Sequence, residues 1–175
     1  MKIMNKVFSL LALALLANNA SAQDSAFLPE AKLADSSVKA LYAGAGFTQK
    51  MIHLNAEWAN PYGIAYAKAG AFLNGDKTFG GQLGFRYPVH FTGKDKNGYY
   101  LGAYAGHIES KDTGAEYESR LGGGVDLAYV MLSPERISTF SVGIGAGEKL
   151  TGQNGRTVAD TEPKLQFSYT LSIGL

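Results

Sequence analysis

Residues 163–175 read PKLQFSYTLSIGL, an alternation of apolar with small or polar residues that never breaks. Successive side chains of a strand point to opposite faces. Leu165, Phe167, Tyr169, Leu171, Ile173 and Leu175 therefore share one face, and Lys164, Gln166, Ser168, Thr170, Ser172 and Gly174 the other. Six unbroken cycles fit a strand whose apolar side is covered along its whole length. About 9–11 tilted residues cross a bilayer as a β-strand, so this stretch is expected to be the last, closing strand of a membrane barrel.

The other end of the chain assigns the compartment. Lys2 and Lys6 precede an apolar run over residues 7–17, and Ala20-Ser21-Ala22 has the small-x-small form of a cleavage site, so residues 1–22 are expected to be a secretory signal peptide. The run is shorter than the roughly 20 residues of a spanning helix. Cleavage leaves 153 residues, and losing the two lysines takes the formal charge from +1 to −1. That suits one domain without strong electrostatic bias. The chain has no cysteine, which excludes a lipid-modified cysteine, a disulfide framework and thiol chemistry. Its 22 glycines and 19 Tyr and Phe residues, with 18% charged residues, suit strands, turns and an aromatic belt. Residues 23–37 lack a period of two and contain Pro29. They are expected to be a periplasmic lead-in, either a disordered leader or a short segment docking at the barrel mouth.

Eight strands can be cut between turn signals, over residues 38–47, 51–59, 64–73, 78–91, 99–109, 116–132, 137–149 and 163–175. Asn60-Pro61-Tyr62-Gly63 and Ser133-Pro134-Glu135-Arg136 are turn sequences. Pro88 lacks an N–H and must fall near a strand end or at a bulge. An even count of alternating strands predicts an all-β fold, an eight-stranded antiparallel up-and-down transmembrane β-barrel over residues 38–175, because an open sheet edge cannot face hydrocarbon. With both termini in the periplasm, the turns after strands two, four and six lie on that side, and the longest loop, residues 150–162, faces outward. Trp58, Phe79, Tyr87, Phe91, Tyr117 and Tyr129 then fall at the two edges of the apolar band as an aromatic girdle. Glu57, Lys68, Arg86, Glu118, Arg120, Asp126 and His90 point inward. Buried charges need partners, so the first six are expected to form a salt-bridged polar network filling the lumen, with tyrosines 42, 66, 100 and 104 packed beside it. Inward glycines leave room for these long side chains.

The signal peptide, the eight alternating segments and the aromatic-rich terminal strand resemble the small outer-membrane barrels typified by the OmpA transmembrane domain and OmpX. The resemblance covers residues 38–175 and is one of architecture. Those barrels commonly end in Phe, where this chain ends in Leu175. It implies a location in the bacterial outer membrane, contact with outer-membrane lipids, and recognition of the C-terminal strand by the barrel assembly machinery. If the odd positions of strand five face lipid, His107 and Glu109 lie outward, with Ser119 across the hairpin. Serine, histidine and a carboxylate can activate a hydroxyl for ester hydrolysis. The set is similar to that of the PagL-type lipid A deacylases. That family places His-x-Ser on one strand and Glu on the next, whereas this chain has His107-Ile108-Glu109, so the residues do not carry over one for one.

His53, His90 and His107 lie on three strands at different heights, which does not suggest a metal site. No cofactor is expected. The sequence has no phosphate-binding glycine loop and no continuous basic stripe for nucleic acid. Three functions remain open: a structural or surface-interaction barrel with a filled lumen, a narrow channel for small solutes, and a lipid-modifying hydrolase. A soluble periplasmic barrel with its faces inverted is the architectural rival. Ile52, Leu54 and Phe167 would then form its core, and Glu57 and Arg86 would meet solvent.

Overall fold

Residues with a period of two form strands, and here they close on themselves. The computed structural model describes residues 29–34, 37–74, 78–93 and 95–175. The expected signal peptide lies outside the described residues, as do most of the lead-in and the tip of the third loop. Residues 31–175 form one compact unit.

The barrel strands are β1 (Leu41–Thr48), β2 (Met51–Asn60), β3 (Gly63–Phe72), β4 (Phe79–Phe91), β5 (Gly98–Asp112), β6 (Tyr117–Leu132), β7 (Arg136–Gly147) and β10 (Lys164–Gly174). Two short strands, β8 (Leu150–Thr151) and β9 (Thr157–Ala159), pair with each other inside the long loop. The order around the barrel is β1-β10-β7-β6-β5-β4-β3-β2, and every neighbouring pair is antiparallel. The terminal strand closes the sheet onto β1, from Tyr42 opposite Gly174 to Thr48 opposite Ser168. Closure gives each strand two partners and removes the sheet edge.

The faces separate cleanly. Leu54 is 71% exposed and Phe79 78% exposed, and Ile52, Leu83, Val125, Ile144, Leu165, Phe167 and Ile173 also point outward. Arg86 and Glu57 are 1% exposed, and Lys68, Asp126, Ser168, Thr170 and Ser172 are buried with them. The inverted arrangement of a soluble barrel is therefore not the one formed. Close approach explains several inward glycines: a Cβ at Gly102 would lie 2.0 Å from Asp126 Oδ1, and one at Gly84 would lie 2.3 Å from the Tyr66 ring.

The two mouths differ. At the mouth with short turns, Tyr42 donates to the Ser133 carbonyl at 2.8 Å and Tyr100 to the Lys96 carbonyl at 2.8 Å. The end of the lead-in docks there. Leu33 donates its N–H to the Pro61 carbonyl at 2.9 Å and buries its side chain among Tyr42, Ile64, Tyr100 and Val130. Lys32 donates to the Pro88 carbonyl at 3.1 Å and lies over the Tyr87 ring. The other mouth carries the four remaining connections, including the β8–β9 hairpin.

Two bulges depart from the expected alternation. In β4 the register runs from Pro88 opposite Tyr100 to His90 opposite Tyr99, leaving Val89 as an extra residue at the position where proline has no ladder N–H to give. The parity reverses beyond it. Phe91 turns inward, edge-on to Tyr100, and His90 is exposed, each opposite to the sequence expectation. In β5 His107 pairs with Leu121 and Glu109 with Arg120, leaving Ile108 extra. Gly106 just before it has φ 138°, a left-handed value that favours glycine.

Candidate functional site

The barrel interior is filled by polar side chains from alternating positions of seven strands, β2 to β7 and β10. At its centre Arg86 of β4 donates to Asp126 Oδ2 of β6, from Nη2 at 2.7 Å and from Nε at 3.3 Å. The guanidinium lies over the Tyr66 ring, 4.4 Å from its centroid, and the Lys68 ammonium lies 5.0 Å from the same ring. Lys68 donates to Ser168 Oγ at 3.3 Å, and Ser168 and Ser141 share a hydrogen bond of 3.0 Å. Asn55 bridges Glu57 Oε1 at 3.0 Å and Ser172 Oγ at 2.7 Å, and Tyr104 donates to Gln166 at 2.9 Å. Two cations thus face two carboxylates in a low-dielectric interior where an unmatched charge is costly.

Little space remains in this interior. A cavity of about 20 Å³ lies beside Tyr66, Lys68, Tyr104, Asp126 and Gln166, room for about one water molecule. Asp126 Oδ1, Glu57 Oε2, Thr170 Oγ1 and both ring nitrogens of His53 are buried without a hydrogen-bond partner among the described residues.

A second charge cluster sits at the loop-bearing mouth, and sequence reasoning missed it. The β5 bulge at Ile108 turns Glu109 into the barrel, 1% exposed. Its carboxylate accepts from Arg120 Nη1 at 2.5 Å and from Lys50. Lys164 lies 3.7 Å and Lys111 3.9 Å away. Arg120 also donates to the Glu148 carbonyl at 2.5 Å, the Gly147 carbonyl at 2.8 Å and the Asp160 carbonyl, which ties the long loop across the mouth. A pocket of about 250 Å³ opens beside the cluster, lined by Gln49, Lys50, Leu73, Asn74, Glu109, Ser110 and Lys111.

The residues singled out from the sequence divide accordingly. Glu57, Lys68, Arg86 and Asp126 meet in the central network, and Arg120 joins Glu109 at the rim. Glu118 does not enter the lumen: it pairs with Lys111 beyond Gly122–Gly147, the last β6–β7 pair, and is exposed. Its parity is inward, but the hairpin has outgrown the barrel wall there. Trp58 and Phe79 are exposed, and Tyr87, Tyr117 and Tyr129 are partly covered. Tyr129 packs edge-on against Tyr99, with centroids 5.3 Å apart. Phe91 has left the outer surface.

The hydrolytic set is not assembled. His107 Nδ1 accepts from the Gly81 N–H at 3.1 Å, Ser119 donates to the Phe79 carbonyl at 2.8 Å, and Glu109 is inside with its cations. The expectation that Glu109 faces outward is overturned by the extra residue Ile108. Gly106 and Pro88 were the only sequence signals of the two bulges. Comparison of the chain with protein-family models, curated proteins and solved structures finds no match.

Proposed function

We propose that this chain is an integral protein of a bacterial outer membrane, exported by its signal peptide, with a side-chain-filled lumen and a structural or surface-interaction role. One observation carries the reading: the closed sheet presents its apolar side chains outward around the whole barrel and keeps its charged ones inside. In water that distribution leaves an apolar patch far larger than monomeric soluble proteins expose. In a bilayer it matches each face to its surroundings.

The interior supports the filled-lumen form of this reading over a conducting pore. Eight strands enclose a space just wide enough for side chains, and Arg86, Asp126, Lys68, Tyr66 and Tyr104 occupy it. The assembly machinery that reads terminal strands is the expected partner of β10, and lipid is the expected contact of the outer face.

Fractionation tests the reading. The full chain expressed in a Gram-negative host should lose residues 1–22, sediment with outer membranes, resist carbonate extraction and migrate differently on gels before and after boiling. Recovery of the mature chain in the soluble periplasmic fraction would refute it. The filled lumen further predicts no steady conductance step in planar bilayers.

A further inference from the structure

We infer that the loop-bearing mouth holds a binding site for a phosphate-type oxyanion, formed by Lys50 and Lys111 with Lys164 beside them. Four cations, Lys50, Lys111, Lys164 and Arg120, surround the single carboxylate of Glu109 within 4 Å. The central network balances its charges, and this cluster does not. Arg120 donates to Glu109 and to three backbone carbonyls, and Lys50 donates to Glu109. Lys111 and Lys164 lie at ion-pair distance from the same carboxylate but beyond hydrogen-bond reach. Their side chains are each 39% exposed, so their ammonium donors are accessible from outside.

The surroundings suit an oxyanion. The pocket of about 250 Å³ is lined by both Lys50 and Lys111, by Glu109, and by Gln49, Asn74 and Ser110, whose side chains donate to Leu165, Ser110 and Thr78, so the lysines are the donors it offers. A group of this size and charge takes short, charge-assisted hydrogen bonds from lysine. Of the nearby acids, Glu109 lines the pocket with its carboxylate held by Arg120 and Lys50, Glu118 faces Lys111 across the β5–β6 ladder and Glu148 is engaged by the Leu121 N–H; the last two do not line the pocket. Leu73, also in the lining, is 59% exposed, which sets the pocket beside an apolar surface. Both a phosphorylated lipid headgroup and a free phosphate carry this chemistry. The site rests on the charge cluster and does not require the membrane reading.

The experiment uses the refolded mature chain in neutral detergent micelles, titrated with inorganic phosphate, with lipid A, and with dephosphorylated lipid A. Saturable binding of either phosphate-bearing probe, weakened about tenfold or more in Lys111→Gln and retained in Lys111→Arg, is the expected result. Binding of lipid A but not of its dephosphorylated form assigns a headgroup site. Binding of inorganic phosphate without lipid A assigns a soluble anion. Absence of both, or binding by Lys111→Gln equal to that of the parent chain, would overturn the site. The Lys111 side chain donates no hydrogen bond among the described residues and is partly exposed, so its replacement is expected to leave the fold in place. Failure of membrane fractionation leaves the inorganic-phosphate arm intact, so the two readings fail separately.

Discussion

The centre of the barrel and its loop-bearing mouth both bury a carboxylate against an arginine, yet they are built on opposite charge balances. Asp126 and Arg86 are matched one to one, 2.7 Å apart, with Lys68 and Glu57 completing a neutral set. Glu109 at the mouth faces four cations, three of them lysines with about a third or more of their side chain exposed. Exposure decides what each region tolerates. An excess charge at the rim is screened by water and salt, whereas in the packed interior it has no such relief. Neutral pairing is thus the condition for filling a narrow barrel. Charge excess is tolerated only where the wall ends, and there it becomes available to a ligand.

The sharpest way to break this comparison is Arg86→Leu, which should cost about 3–5 kcal/mol by leaving Asp126 buried and unpaired. Urea unfolding in lipid vesicles measures it. The double replacement Arg86→Leu with Asp126→Leu should regain most of the loss, and a single variant as stable as the parent would show that the central pair is not shielded from water.

Next in size is Leu54→Arg on the outer face. In lipid it should cost about 2–4 kcal/mol near the midplane, read from the same unfolding curves. A loss near zero would place the outer face in water and undo the proposed membrane location.

Glu109→Gln should cost less, about 1–3 kcal/mol, through two weakened charge-assisted hydrogen bonds. Added salt should partly offset the resulting repulsion among Lys50, Lys111, Lys164 and Arg120; a loss as large as that of Arg86→Leu would erase the distinction between the two regions. The smallest effect belongs to Lys111→Gln, less than about 1 kcal/mol, as expected of a partly exposed ion pair and measurable as a small shift of the urea midpoint.

Much of the architecture was legible in the chain itself. Period-two patterning located all eight barrel strands to within a few residues, assigned Lys68 and Tyr66 of β3 to the inside, and placed Arg86 and Asp126 in one interior. The strands and their faces follow from side chains alternating across a strand, and turning Lys68 and Tyr66 inward also uses the cost of a lysine facing lipid, because alternation leaves β3 ambiguous. The sequence by itself also carried the small residues that make room inside, since Gly84 and Gly102 alternate with outward Phe85 and Ala103.

Tertiary structure decided whatever depends on the neighbouring strand. A bulge is an extra residue relative to a partner, so the shifts at Val89 and Ile108 exist only once β4 and β5 are paired. Each reverses the parity of the residues beyond it. One moves Phe91 inside and His90 out, and the other separates Glu109 from His107 and delivers it to Arg120. The docking of Leu33 under Tyr42 and Tyr100 likewise needs a barrel mouth assembled from strands far apart in sequence. Faces are local properties of a strand and can be read in one dimension; register belongs to pairs of strands and is settled only when the sheet closes.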